Sequence, residues 1–248
     1  MLFFCLLTGT ASKAAGVNAY TLLDSGNAAY NKQYYSKAIT FYEGFLKGDV
    51  ESAQAYFNMG NCYYRLNEMP KAILYYEKAK RLTPGDPDVE FNLQLANQKI
   101  TDKISSDTPL FIYSDWKRFE NKMTERQWGI ICISLLCISL LLFALYLYIS
   151  SIFVKQLSFW SAFVILFSCL FTFYIANQQY DLLTSHDTAV IMSPSVTVKG
   201  APDDKATELF VVHEGTKVWV VKNDGIWTEI KLSNGNVGWL VSSDISVI

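Results

Sequence analysis

Three features of the sequence predict a multi-domain chain: an all-α helical repeat, a transmembrane helical hairpin, and a small C-terminal all-β barrel. The first is a self-match at a period of 34 residues. The second is a pair of apolar runs almost empty of charge, and the third is a closing series of short β-branched segments broken by turn residues. Composition agrees. Of 248 residues 51% are hydrophobic and only 18% charged, against about 25% charged in soluble domains. So much apolar surface excludes a disordered chain. A net charge of -2 gives no basic field for nucleic acid, which is excluded as a partner. Five cysteines are too few for a disulfide framework.

Residues 1–16 open with an apolar stretch (MLFFCLL) and continue into small residues. This reads as the remnant of a truncated signal peptide. Cys5 is not placed like a lipoprotein cysteine.

The helical repeat covers residues 19–103. Copies 19–52 and 53–86 align Gly26 with Gly60, Asn27 with Asn61, Ala38 with Ala72, and Tyr42 with Tyr76. Small residues at Gly60 and Ala72 let two antiparallel helices approach, Tyr56, Tyr63 and Tyr76 fill the gaps, and Pro84 ends the second helix. This pattern resembles the tetratricopeptide repeat. The first copy is looser, with Ser25, Ala29 and Val50 at positions where the family has Leu, Tyr and Pro. A third helix over 88–100 follows in phase and caps the stack, whose last apolar side needs cover.

In such a stack the first helix of each pair lines the inner groove. The groove positions hold Tyr20, Leu23, Asn27, Tyr30 and Asn31 in the first copy. Gln54, Phe57, Asn61, Tyr64 and Arg65 hold them in the second, and Phe91, Leu95 and Lys99 continue the row. Aromatic rings with paired Asn suit an extended peptide or partner helix, the amides bonding its backbone. Clamping a C-terminal carboxylate, which some repeats of this family do, needs more cations than Arg65 and Lys99.

Residues 104–127 form a linker. Within it, Trp116, Phe119 and Met123 share one helical face, a pattern for a short helix in the headgroup region. Thr124 and Gln127 have the spacing of a capping box.

The spans are expected at 128–150 and 157–177, joined by a turn at 150–158. Lys155 is the one charged side chain between Arg126 and Asp181. A bilayer crossing takes about 20 apolar residues, and Trp128, Tyr146, Tyr148, Trp160 and Tyr174 lie near the ends of the runs, where aromatic rings favour the interface. A hairpin returns both flanks to one side. A span without charge argues against a transporter or channel.

Residues 186–248 contain five or six short strands. Gly200, Asn223-Asp224-Gly225 and Asn234-Gly235 mark turns, which predicts a small barrel or sandwich. The spacing of Val196 to Pro202, Glu214 to Val218, Gly225 to Trp227 and Gly235 to Trp239 resembles bacterial SH3-like domains. That resemblance implies an SH3-like barrel and a cell-wall peptide or protein segment as ligand.

No catalytic constellation is found. His186 and His213 join no nucleophile, Cys62 reads as a small buried thiol, and Cys132, Cys137 and Cys169 lie in the spans. No enzyme activity, cofactor or metal is expected.

Lys117, Arg118, Lys122 and Arg126 before the first span favour a cytoplasmic placement. The signal-like start and the SH3-like module favour the periplasm, which is the side expected, at the bacterial inner membrane. The whole order resembles the E-type (BatE-type) members of the bacterial aerotolerance (Bat) group. Those proteins are encoded with a MoxR-type AAA+ ATPase and membrane proteins bearing von Willebrand A domains. The resemblance implies a non-enzymatic scaffold or adaptor of an envelope complex, with other Bat-type membrane proteins as partners. The rival expectation is an envelope sensor whose SH3-like domain binds cell-wall peptides and signals through the hairpin.

Overall fold

The computed structural model describes residues 9–47, 50–103, 116, 117, 119–185 and 187–248, with side chains from Tyr20 onward except Leu182. The signal-like residues 1–8 and, in the linker, 104–115 and Arg118 lie outside the described residues. Contacts divide the chain into two units, one built from Met1–Thr108 with His186–Ile248 and the other from Pro109–Ser185.

The first unit begins with five helices: α1 (Gly9–Asn31), α2 (Tyr35–Phe45), α3 (Ala53–Arg65), α4 (Met69–Leu82) and α5 (Pro87–Asn97). α1 runs back through the small-residue stretch that reads as part of a signal remnant. Both pair turns use a left-handed residue in the same repeat phase, Gln33 and Asn67, each at φ 62°. Asn tolerates that conformation well and Gln less so. Ser52 caps α3 through its side chain, and Asp86 caps α5, with Pro87 next, where a missing N–H costs nothing. Close packing explains the repeated glycines. A Cβ on Gly60 would lie 2.5 Å from Tyr76 Cδ1, and one on Gly26 would strike the Tyr42 ring.

Seven antiparallel strands follow: β1 (Thr188–Ile191), β2 (Ser195–Lys199), β3 (Glu208–His213), β4 (Lys217–Asp224), β5 (Trp227–Lys231), β6 (Val237–Val241) and β7 (Ile245–Val247). Their order is β3-β2-β6-β5-β4-β1-β7. The sheet is open, because β3 and β7 are edges that do not pair with each other, which corrects the expected closed barrel. Curvature still wraps it round one core, with Ala189, Ile191, Val196, Val212, Ile230 and Leu240 in a single cluster. Register shifts at Val198/Lys199 and Val220/Lys222 supply the bends. β2 meets β6 at one residue pair, Lys199 with Trp239, so the ladder is thinnest at that corner.

Helices and sheet share apolar contacts: Val190 of β1 and Ile248 lie in the same buried cluster as Ile73, Tyr76 and Leu93. Polar bonds reinforce the seam. Arg81 pairs with Glu51 and donates to the Ile248 carbonyl at 3.3 Å. Lys217 meets Glu77 at 2.8 Å. Asp102 accepts three bonds: from the His213 backbone N–H at 2.7 Å, from His213 Nδ1 at 2.8 Å and from the Thr216 hydroxyl at 3.1 Å.

The second unit is a helical hairpin of α6 (Glu125–Tyr148) and α7 (Ile152–Thr184). Both are long and apolar enough to cross a membrane, with mean hydropathy of 2.8 and 2.0 in their best windows. The Thr124–Gln127 capping box forms in both directions. The connecting turn is only 149–151, tighter than the expected 150–158, because residues 152–158 hold no helix breaker. The helices meet in layers seven residues apart: Cys132 Sγ lies 3.5 Å from Cys169 Sγ, Ser139 donates to the Ala162 carbonyl at 2.9 Å, and Tyr146 faces Lys155. That is the heptad seam of an antiparallel pair, narrowed by small residues. A helical turn near Phe119 straps the other end. Trp116 packs on Phe171, and the Glu120 carbonyl accepts from the Trp128 indole at 3.1 Å and the Gln179 amide at 2.7 Å.

Candidate partner-binding groove

The groove is built on α1, α3 and α5, which hydrogen bonds tie side by side. Asn58 Nδ2 donates to Asn27 Oδ1 at 2.9 Å, and 34 residues on, Asn92 Nδ2 donates to Asn61 Oδ1 at 3.2 Å. The second helix of each pair adds a bond to the same oxygens, from Tyr42 Oη to Asn27 at 2.9 Å and from Tyr76 Oη to Asn61 at 2.8 Å. Burial pushes both tyrosines above their ordinary pKa, so these hydroxyls remain donors. Each Asn Oδ1 thus accepts two bonds, its full capacity, while the Nδ2 hydrogens remain for another acceptor.

The expected groove residues divide into three sets. Leu23 is only 9% exposed and sits in the helical core, so it shapes the floor. Tyr30, Phe57 and Tyr64 are partly buried against that core. Tyr20 at 68% exposure and Phe91 at 60% stand clear of it, with Gln54 and Arg65 also exposed. Two cations decorate the row. Lys99 Nζ lies 4.0 Å from the Tyr64 ring centroid, and Arg65 stands exposed beside the Tyr30 side chain. Residues 53–86 match the family model of the tetratricopeptide repeat. No curated protein matches the chain.

Asn58 and Asn92 were not among the residues singled out from the sequence. Their signal was present, since they repeat the same spacing as Asn27 and Asn61 within the tetratricopeptide pattern. Asp102 was also missed as the partner of His213. Together they have the beginning of a catalytic arrangement, but the Thr216 hydroxyl donates to Asp102. Asp102 here joins repeat to sheet. Burial works against its charge, yet bonds from His213 and Thr216 outweigh that and hold its carboxyl below the usual carboxylate range. A hollow of about 570 Å³ opens beside it, lined by Gln94, Asn97, Gln98, Lys103 and Ser233 among others.

Cys62 lies fully buried on α3, where burial pushes its thiol up to about 12. Among the described residues no three His, Cys, Asp or Glu side chains gather as metal ligands.

Proposed function

We propose that this chain is a non-enzymatic, membrane-anchored scaffold whose repeat groove holds an extended segment of a protein partner. The tetratricopeptide repeat is a protein-interaction module, and the observation that carries the reading is the row on α1, α3 and α5. Exposed Tyr20 and Phe91 flank it, and Asn27 and Asn61 lie between them with their acceptors filled and their Nδ2 donors left over. Such amides select backbone carbonyls, which an extended chain presents at regular intervals.

In this reading α6 and α7 span the bacterial inner membrane. The segments before and after them build one shared core, which supports placing both on one side; in this reading that side is the periplasm. The sheet serves as an SH3-like module, and the partners are other Bat-type membrane proteins of an aerotolerance, MoxR-linked envelope complex.

The test is mild-detergent pull-down with mass spectrometry of a variant carrying Tyr20→Ala, Gln54→Ala, Arg65→Ala and Phe91→Ala. These exposed positions leave the core alone, whereas truncating Tyr30, Phe57 or Tyr64 would open it. The expected result is normal helix content and melting with loss of co-purifying membrane proteins. Unchanged co-purification overturns the groove reading. Alkaline phosphatase fused after Ile248 reports the side, and an inactive but stable fusion refutes a periplasmic placement.

A further inference from the structure

The tip of the hairpin carries an isolated cation. No other charged side chain lies between Arg126 and Asp181, and among the described residues no carboxylate pairs with Lys155. The seam fixes it there. Layers at Cys132/Cys169 and Ser139/Ala162 place the next layer at Tyr146/Lys155, with Nζ 5.1 Å from the Tyr146 ring centroid. Around it opens a hollow of about 290 Å³, walled by Tyr146, Ile152, Gln156, Phe159 and Trp160. The rings brace one another, Tyr146 to Phe159 at 5.5 Å and Phe159 to Trp160 at 5.6 Å.

We propose that this hollow binds the phosphate of an anionic phospholipid headgroup. The inference rests on the reading of α6 and α7 as membrane spans. The 24 residues of α6 cover about 36 Å against a hydrocarbon core of roughly 30 Å, which sets Tyr146 and Lys155 at headgroup depth. The anions present at that depth are phosphodiesters. The ring face takes one direction around the ammonium and leaves at least two N–H donors, and the Gln156 amide adds two more. The aromatic walls lower the local dielectric on one side of the ammonium and so favour the ion pair. A choline headgroup could in principle use the same rings through cation–π contact, but Lys155 already covers the Tyr146 face and repels a second cation. The site therefore discriminates by net headgroup charge.

The experiment reconstitutes the full chain into nanodiscs of phosphatidylcholine alone or mixed with phosphatidylglycerol, then identifies retained lipid by native mass spectrometry. Phosphatidylglycerol is expected to be retained over phosphatidylcholine by roughly fivefold, the value of one basic residue at an anionic surface. Lys155→Met should abolish the preference and Lys155→Arg should keep it, both with unchanged circular dichroism. Retention in millimolar inorganic phosphate supports a lipid site, and displacement by phosphate overturns it in favour of a free-anion site. Equal retention of both lipids, or a preference surviving Lys155→Met, overturns the proposal while the spans stand. Release of the protein from membranes by alkaline carbonate overturns the spans themselves, and the site with them.

Discussion

Asp102 offers the sharpest test of how the repeat and the sheet are joined. Its carboxylate is 17% exposed and accepts three bonds at 2.7, 2.8 and 3.1 Å, all from the β3–β4 turn. Bonds to a charged group contribute about 1.5–3 kcal/mol each when isolated. Partial exposure and shared partners bring the sum for Asp102→Ala to about 3 kcal/mol, or roughly a hundredfold in the local opening equilibrium. Hydrogen exchange read by mass spectrometry over residues 208–217 measures this directly. The pH dependence has a definite sign. The folded pKa of Asp102 lies below the ordinary value, so its contribution is complete above the unfolded value of about 3.9. It is lost as pH falls through the lower, folded pKa. Protection of the turn should therefore fall with acidification in the native chain, and the step traceable to this carboxyl should vanish in Asp102→Asn. Exchange in Asp102→Ala within threefold of the native chain would refute the latch.

Other substitutions probe the packing. Gly60→Ala forces a methyl to 2.5 Å from a Tyr76 ring pinned through its hydroxyl to Asn61. It should cost about 1–3 kcal/mol in calorimetric unfolding, while Gly129→Ala, with open space around it, should not destabilise. Gly215→Ala combines a φ of +84° with a Cβ 2.5 Å from Ile100 Cγ2. Strain and crowding together should cost about 2–4 kcal/mol and loosen the same turn as Asp102→Ala. Cys62, pushed up to about 12, should resist alkylation near pH 8 in the native protein and react at once in denaturant, read on its own peptide. Rapid native labelling would contradict its burial.

The helical half was legible because its signals are local and periodic. Gly60, Ala72 and Tyr76 fall at the spacing that packs two helices, and each finds its partner within the same repeat. Thr124 and Gln127 sit three residues apart, and their capping box forms as read. What escaped the sequence depends on contacts between distant residues. Asp102 meets His213 across more than a hundred positions, and no periodicity marks such a pair. The sheet was readable as strands, but whether β3 would meet β7 depends on how strongly the bulges bend it. Asn58 and Asn92 repeat at the same period as Asn27 and Asn61, but which asparagine bonds which is visible only once α1, α3 and α5 stand together.

Val190 and Ile248 sit in the cluster that holds Ile73 and Leu93, and this sets a schedule for biogenesis. The ribosome delivers β1 roughly a hundred residues after α5, a delay of about 5–20 s at ordinary synthesis rates. Throughout that interval the end of the helical stack waits with an apolar face bare, while the hairpin between the two segments is made. The repeat therefore completes its core only when β1 and the last residues of the chain arrive.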